Sequence, residues 1–569
     1  MENGGFRLPT SRALSRTNSK MDGAPGAWIA TGAFLLAALW VVWPAPLHAT
    51  WAMPSGDSPV GTVPMLNAWI QWWNADRVLH FWSGYWHAPI FYPARYAFGL
   101  SEPQPLTALV APIIWTSGPV PAYNVYLVAM LTLNGVFTRR LMKDLGVGPG
   151  CAAAAGLAMV LHPLAVHNLE AVQLAVLWPV VWLLHRLILF GRVPTWRSGL
   201  IVGIAGGLVG YACLHHTLIA ALPLAASLGV LVVGKRWSAW LPPLLASGGL
   251  ALLFTGPLAY GVGAAAAEHG VSRHLQTVQA LSAQAADWLT LPATAWEPTG
   301  TSRTAQFPLS PGWLRVILAC AAVAGFASAR RRELLFLFVT ALIALFLSFG
   351  ANLPGGLWTV ATHWLPPLQW ARSPYRFAYL FQTCIILLAF CALDQLRLKI
   401  SIMTRAAPLW RRAAGWSPII LGIVLTLEIP PPRTALCFPP ASSMPAPWVQ
   451  HLMQVSHPDD VMVCLPVAPD SSEAGMETET RWMMYQTQHR LRLLNGYSGF
   501  IPRHWAELRT MLRKAPLNDE TIDALEGCSV RWIIVRRSPS VDAWSASTHI
   551  RWVYEDAQFR LGELVSTRQ

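Results

Sequence analysis

Long apolar segments recur through the first three quarters of the chain and constrain its fold more than any other feature. A helix needs about 20 mostly apolar residues to cross the ~30 Å hydrocarbon core of a bilayer. Only 12% of the residues are charged, against about 25% in soluble domains. The sequence therefore predicts a polytopic α-helical membrane protein with about 11 spans. We place the spans near 27–47, 121–138, 151–165, 172–190, 198–214, 217–234, 238–260, 312–329, 333–350, 375–395 and 415–429.

Basic residues are concentrated in this apolar part. Residues 1–429 carry 27 Lys and Arg and 13 Asp and Glu, whereas residues 430–569 carry 14 and 15. The basic clusters fall on one side of an alternating topology, and the positive-inside rule makes that side cytoplasmic. The net charge of +13 then needs no nucleic acid partner. The clusters are 7–20, 139–143, 186–197, 235–236, 330–332 and 397–412.

This topology predicts three regions in a multi-pass protein of the inner (cytoplasmic) membrane. Residues 1–26 form a cytoplasmic tail, and residues 27–429 form a transmembrane domain with large outer loops at 48–104, 263–311 and 351–374. Residues 430–569 are polar and of mixed charge, which predicts a small extracytoplasmic α/β domain. Its predicted strands are 461–467 and 529–535, its helices lie near 476–489, 503–514 and 518–527, and a hairpin spans 549–565.

Two segments of the first outer loop and its flank have distinct patterns. Residues 64–82 place Trp and Leu on one helical face and polar residues opposite, which predicts a helix lying in the headgroup layer. Residues 105–117 are apolar but too short to span, so we expect a short or re-entrant element.

Asp57 and Glu102 are among the carboxylates on or near the outer face, where such groups could act as general bases or ligands for an external reaction. Asp57 lies in a Ser-Gly-Asp-Ser-Pro sequence, where an Asp serves equally as a turn former. For Glu102, helix capping or a salt bridge with Arg95 are the structural alternatives.

Arginine and histidine side chains provide candidate substrate contacts. Arg372 and Arg376 are spaced i, i+4 at the start of a predicted span, which predicts one helix face able to bind phosphate; a snorkelling interfacial pair is the alternative. His167 and Glu170 are spaced i, i+3 in a polar patch and could hydrogen-bond to each other. His215 and His216 are adjacent on a helix, so a metal site from these two alone is not expected.

Other ligand patterns are weak. We find no Cys/His set with metal-ligand spacing and no nucleotide-binding glycine motif. Cys464 and Cys528 lie in or beside the two predicted strands and could pair, although the odd count of three cysteines outside the predicted spans is poor evidence of a disulfide framework.

Several short motifs, in order along the chain, resemble the GT-C glycosyltransferases, and the closest resemblance is to a poorly characterised bacterial branch. The resemblance implies sugar transfer from a polyprenyl-phosphate-linked donor to an extracytoplasmic glycan, lipid or protein acceptor. The motifs are Gly56-Asp57-Ser58, Phe91-Tyr92-Pro93, Ser101-Glu102, Ala122-Tyr123-Asn124, His162-Pro163 with His167, Arg372-Ser373-Pro374-Tyr375-Arg376-Phe377, and Asn495-Gly496-Tyr497-Ser498-Gly499-Phe500.

The same resemblance implies roles for residues. Asp57 matches the carboxylate of the first outer loop that acts on the acceptor, with Glu102 as a possible second. Arg372 and Arg376 would hold the donor phosphate, with His167, Glu170 and His215 as further substrate contacts. No cofactor is expected, although a divalent metal stays open, and membrane lipids are partners. A lipid-linked glycan transporter or a cell-envelope assembly scaffold is the alternative function.

Overall fold

The computed structural model describes residues 24–565 with internal gaps. Most of the predicted tail 1–26 lies outside the described residues, as do residues 415–421 of the predicted span 415–429 and parts of the loops 263–311 and 351–374. The gaps are residue 59 and residues 272–273, 296–304, 325–329, 365–367, 369–371, 404–421, 441–443, 514–517, 539–543 and 545–546.

Helices dominate the chain up to residue 403, as the apolar segments predict. They begin and end as follows: α1 Ala24–Val41, α2 Thr62–Leu79, α3 Ala111–Ser117, α4 Pro119–Asp144, α5 Pro149–Val160, α6 Pro163–His167, α7 Val172–Ala175, α8 Trp178–Arg192, α9 Trp196–Ala212, α10 Leu214–Val232, α11 Trp237–Glu268, α12 Leu275–Ala280, α13 Ala285–Leu289, α14 Trp313–Ala324, α15 Arg331–Ser348, α16 Leu357–Trp364 and α17 Ala378–Met403.

Six helical segments among the described residues are long and apolar enough to cross a membrane, so this is a membrane protein. The count of about 11 spans stays a prediction, because several of the other predicted spans form shorter helices such as α1 and α14. Residues 105–117 form a 3-10 turn followed by the short helix α3, as expected. The six segments are Pro119–Asp144, Pro149–His167, Val172–Arg192, Leu214–Val232, Trp237–Glu268 and Pro374–Ile400.

Basic loops meet at one end of the helical bundle. Arg192 pairs with Glu333 (Nε to Oε1, 3.0 Å), and Lys235 donates to the Arg192 carbonyl at 2.9 Å. Arg330 donates to the Gly146 carbonyl, also at 2.9 Å. These contacts join four of the loops that the charge pattern assigns to a single side.

The C-terminal part folds as a mixed sheet with helices. Strands β3 and β4 and strands β3 and β5 pair in parallel, while β5 with β7 and β6 with β7 pair antiparallel, in the order β4-β3-β5-β7-β6. A separate two-stranded pair, β1 with β2, joins the first loop to the segment before this sheet. The bounds are β1 Met53–Pro54, β2 Leu436–Cys437, α18 Pro447–Val455, β3 Val461–Leu465, α19 Glu473–His489, β4 Arg492–Leu493, α20 Arg503–Leu512, α21 Asp519–Gly527, β5 Val530–Arg536, β6 Ile550–Glu555 and β7 Phe559–Leu564.

The cysteines suggested as a pair are both free thiols. Cys464 packs with Met462 and Trp532 in one apolar cluster, whereas Cys528 packs against the other cluster. The two sulfurs therefore belong to different packing layers.

Helix α2 corrects the prediction of an interfacial helix for residues 64–82. Its polar face is as buried as its Trp face: Asn74 donates to the Thr107 hydroxyl at 2.8 Å, and Trp69 donates to Gln486 of α19 at 2.9 Å. Asn67 accepts from Gln104 at 2.8 Å. Asn67 and Asn74 form hydrogen bonds to protein instead of facing water, so α2 is the packing element between the C-terminal sheet region and the membrane helices.

Candidate functional site

The candidate site begins at a tight turn after strand β1. Gly56 has φ of +65°, a left-handed conformation that glycine adopts without a Cβ penalty. Its N–H donates to the Thr434 hydroxyl at 2.8 Å, and its carbonyl accepts from the Ala435 N–H at 2.7 Å. The turn is thus held against the segment that leads into the C-terminal part, and it presents Asp57.

Asp57 contacts His167, the last residue of α6. The Asp57 Oδ2 to His167 Nδ1 distance is 2.6 Å, and the two side chains are 33% and 26% exposed. A carboxylate and an imidazole at this distance form an ion pair when the ring is protonated. The pair is open to solvent on one side, as a group that handles a substrate proton must be.

Glu170 lies under the same turn. A Cβ on Gly56 would lie 2.7 Å from Glu170 Oε2, so the carboxylate packs directly against the glycine. Burial raises the pKa of Glu170 to about 7, and the nearby carboxylates of Glu473 and Asp57 act in the same direction. The sequence suggests a hydrogen bond between His167 and Glu170; in the structure α6 ends at His167, and the His167 Nδ1 contacts Asp57.

The two candidate arginines do not share a helix face, so that prediction is wrong. Ser373 is extended (φ −130°, ψ 80°) and is followed by a 3-10 turn at Pro374–Phe377. A residue before proline is disfavoured in the α region, and this breaks the i, i+4 geometry.

Each arginine therefore has its own surroundings. Arg372 is exposed and faces Glu473 of α19. Partial burial raises the pKa of Glu473, and the Arg372 guanidinium opposes that shift. Arg376 lies 6.0 Å from the centre of the Tyr375 ring and interacts electrostatically with Glu102. Its Nε is buried and has no hydrogen-bond partner among the described residues.

Glu102 pairs with His215, so the Arg95 alternative is wrong. Its Oε2 is 2.7 Å from His215 Nδ1, and its Oε1 accepts from the His215 backbone N–H at 3.3 Å. The carboxylate thus does cap a helix, the first turn of α10. Burial by itself would raise the pKa of Glu102, but the charge of His215 and hydrogen bonds from His215 and Cys213 lower it to about 2.

Tyr379 of α17 contacts residues next to both pairs, Asp57–His167 and Glu102–His215. Its hydroxyl accepts a hydrogen bond at 3.2 Å from the Nδ2 of Asn168, the residue that follows His167. Its ring packs edge-on against His216, one residue after His215. Loop contacts such as Ser101 to Ser498 (2.6 Å between hydroxyls) tie the C-terminal part to the same region.

Sequence reasoning missed three residues of this region, and two residues of the family motifs make structural contacts. Glu473, Cys213 and Tyr379 carried no signal, because each lies in an ordinary helical or apolar context and is brought in by tertiary packing. His162 caps α6 by accepting from the Ala165 N–H at 3.3 Å, and Asn495 holds β3 through both the N–H and the carbonyl of Cys464. These last two are structural.

Comparisons with known proteins bear on the fold. No protein-family model matches the sequence, and no curated protein matches it either. Two cryo-EM structures of the arabinofuranosyltransferase AftD from Mycobacteria match with TM-scores of 0.54 and 0.52, at 15% and 13% sequence identity, over 95% of this chain. The chain spans about two fifths of AftD, 42% and 40% in the two structures.

A solved structure of another protein is similar in length to this chain. ArnT from Cupriavidus metallidurans, bound to undecaprenyl phosphate, matches with a TM-score of 0.48 at 14% identity, over 96% of this chain and 99% of that chain. The two matches to AftD have TM-scores above 0.5, and at this identity they concern the fold. The predicted resemblance is confirmed at the level of the fold: this membrane protein shares the fold of the arabinofuranosyltransferase AftD.

Proposed function

We propose that the protein is a membrane glycosyltransferase that moves a sugar from a polyprenyl-phosphate-linked donor to an acceptor hydroxyl on a glycan, lipid or protein. The observation that carries this proposal is the partly exposed Asp57–His167 pair, with 2.6 Å between Oδ2 and Nδ1, close to the carboxylate of Glu170. A fold by itself does not assign a reaction, so the proposal depends on what these side chains can do.

Asp57 is the general base of the proposed reaction. Its carboxylate is partly exposed and lies at the end of a rigid turn fixed by Gly56. His167 contacts one carboxylate oxygen and orients it, which leaves the other for the acceptor hydroxyl. Positioned acid–base groups contribute about 10²–10⁴-fold to a rate, so Asp57 accounts for one part of the catalysis.

The two arginines bind the phosphate of the proposed donor. The buried Nε of Arg376 is an unpaired donor, and a buried donor without a partner costs about 1–3 kcal/mol. A phosphate oxygen would satisfy it. Arg372 is exposed next to Glu473 and can exchange that carboxylate for the donor, because arginine binds phosphate through two parallel hydrogen bonds.

The bonds and charges of the reaction balance with these groups. The acceptor oxygen attacks the anomeric carbon, a C–O bond to the acceptor forms, and the C–O bond to the lipid phosphate breaks. The acceptor proton passes to Asp57, and the electron pair leaves with the polyprenyl phosphate, whose charge the arginines stabilise. A single displacement of this kind inverts the anomeric configuration. The site would face the periplasm or cell exterior, opposite the basic loops.

Purified protein tests the proposal directly. Detergent-solubilised chain is incubated with radiolabelled polyprenyl-phosphate hexoses and pentoses and a membrane extract as acceptor. We expect sugar transfer by the native chain and a loss of about 10²–10⁴-fold in Asp57→Asn. Asp459→Asn makes the same chemical change at a side chain that is 74% exposed, and it should transfer at the native rate.

The outcome separates the proposed enzyme from its alternative. Full activity in Asp57→Asn rules out the base role. Transfer absent from the native chain, together with movement of lipid-linked glycan across proteoliposomes, would establish a transporter in its place.

A further inference from the structure

A second group of side chains converges beside the proposed catalytic pair. Glu102, Cys213 and His215 each offer one ligand atom, and these three atoms all lie within 4.8 Å of one another. The shortest separation is 2.7 Å, between Glu102 Oε2 and His215 Nδ1. The sequence does not indicate the group, because Glu102 is more than 100 residues away from the other two.

Local backbone structure explains the convergence. Cys213 is extended (φ −164°, ψ 114°) at the break between α9 and α10. This single non-helical residue turns its side chain to the same region as His215, which a continuous helix would not do at a spacing of two residues. Glu102 comes from the loop between two 3-10 turns, Ala97–Leu100 and Pro105–Val110.

The chemical types of the three ligand atoms indicate which metal ion would bind. A thiolate, an imidazole and a carboxylate are the ligands of Zn²⁺, with three protein ligands and one open position in catalytic-type sites. Ca²⁺ and Mg²⁺ prefer sets made of oxygen alone. Tetrahedral Zn²⁺ with bonds of about 2.0–2.3 Å needs ligand atoms ~3.4 Å apart. The carboxylate and the ring would have to separate by about 0.7 Å, which a rotation of either side chain achieves.

Charge and access suit a divalent cation. The carboxylate and a thiolate supply two negative charges, which neutralise Zn²⁺. Glu102 and Cys213 are buried, with the Glu102 side chain 7% exposed, whereas the His215 side chain is 33% exposed. An ion can therefore enter on the His215 side. Arg376 interacts electrostatically with both Glu102 and Cys213, and its positive charge favours an anionic oxygen as the fourth ligand.

We propose that Glu102, Cys213 and His215 form a Zn²⁺ site with an open fourth position. The competing arrangement is a hydrogen-bonded group in which Glu102 only caps α10. The two differ in what the thiol does: a capping group needs no sulfur, whereas the zinc site needs Cys213 as a ligand. The proposal depends on this geometry and not on the proposed transfer reaction.

Metal content of the full-length protein tests the site. Chain purified in detergent from zinc-supplemented cells, after exhaustive dialysis, is analysed for metals by mass spectrometry. We expect about one zinc per chain in the native protein, as for a three-ligand site, and at least a tenfold loss in Cys213→Ser. Cys320→Ser is the matched control, because Cys320 is a free, exposed thiol, and it should keep the metal.

Cobalt substitution provides a second readout that does not require activity. Metal-free protein titrated with Co²⁺ should develop a sulfur-to-cobalt charge-transfer absorption in the native chain and in Cys320→Ser but not in Cys213→Ser. His215→Ala should weaken zinc binding while it retains the thiol. Monodisperse elution of each variant shows that it is folded.

Two results would overturn the site: native chain that takes up neither zinc nor cobalt, or Cys213→Ser that binds zinc as the native chain does. A chain with full zinc and no sugar transfer would contradict the proposed function and leave this site standing.

Discussion

Gly56→Ala is the substitution that most directly tests whether the turn before Asp57 sets up the site. Gly56 has a positive φ of +65°. A Cβ there would lie 2.7 Å from Glu170 Oε2, 3.0 Å from the His167 carbonyl oxygen and 3.2 Å from the Leu169 backbone nitrogen. The Glu170 side chain can move, but the backbone after α6 cannot, so the turn itself must shift.

The expected loss of stability in Gly56→Ala comes from two separate free-energy costs. An alanine in the left-handed region costs about 1–2 kcal/mol, and forcing an extra methyl into a packed site costs about 1–3 kcal/mol. Gly270→Ala isolates the first cost, because Gly270 has φ of +59° and a Cβ added there would meet nothing within 4 Å. Gly56→Ala should therefore reduce the free energy of unfolding by more than Gly270→Ala does.

Transfer activity should respond in the same order. The Asp57 backbone follows Gly56 directly, and a displacement near 1 Å of a reacting group can cost about 10²-fold. We expect Gly56→Ala to lose about 10²-fold in kcat and Gly270→Ala to stay near the native rate. Thermal unfolding in detergent provides the stability comparison. Native kcat and equal unfolding midpoints for the two variants would refute the reasoning.

Two further outcomes are expected. Burial raises the pKa of Glu479 to about 7 from an ordinary value of 4.5, so the folded state binds the extra proton between these values. Stability should fall by about 3 kcal/mol as pH rises through this window, and Glu479→Gln should flatten the decline in unfolding midpoint between pH 5 and pH 8; an unchanged slope would contradict it. Arg372→Gln should raise the KM for the lipid-phosphate donor by about 10–100-fold, the value of a charged hydrogen bond. Arg490→Gln, an exposed arginine paired with Asp76, should leave that KM unchanged, and equal effects of both would contradict phosphate binding by Arg372.

The C-terminal secondary structure was predictable because its signals are local. The strand predicted at 529–535 is Val530–Arg536, and the helix predicted at 503–514 is Arg503–Leu512. Alternating and helical periodicities act over a few residues and survive in the folded chain. The prediction of an interfacial helix for 64–82 failed because the burial of that helix depends on contacts with distant parts of the chain. The pattern of Trp and Leu on α2 shows which side chains are apolar, but it does not show that a second protein layer also covers the polar face.

The contacts of the candidate site could not be predicted from local sequence patterns. Asp57 could be singled out from its position after the first span, but its partner His167 is 110 residues away and is presented by a helix that ends at that residue. Arg372 and Arg376 were expected to act together because the i, i+4 rule assumes a helix. Pro374 breaks the helix and turns the arginines to different surroundings, one toward Glu473 of the C-terminal part and one toward Glu102.

That separation has a functional consequence. If the two arginines bound the same phosphate from one helix face, the C-terminal part would be dispensable for donor binding. In the observed arrangement, the carboxylate opposite Arg372 comes from the first residue of α19. The Thr62 hydroxyl of α2 donates to the carbonyl of that same residue at 2.6 Å. Under the proposed function, the C-terminal part would therefore form one wall of the site, and movement of α19 relative to α2 would change the charge that Arg372 presents to the proposed donor.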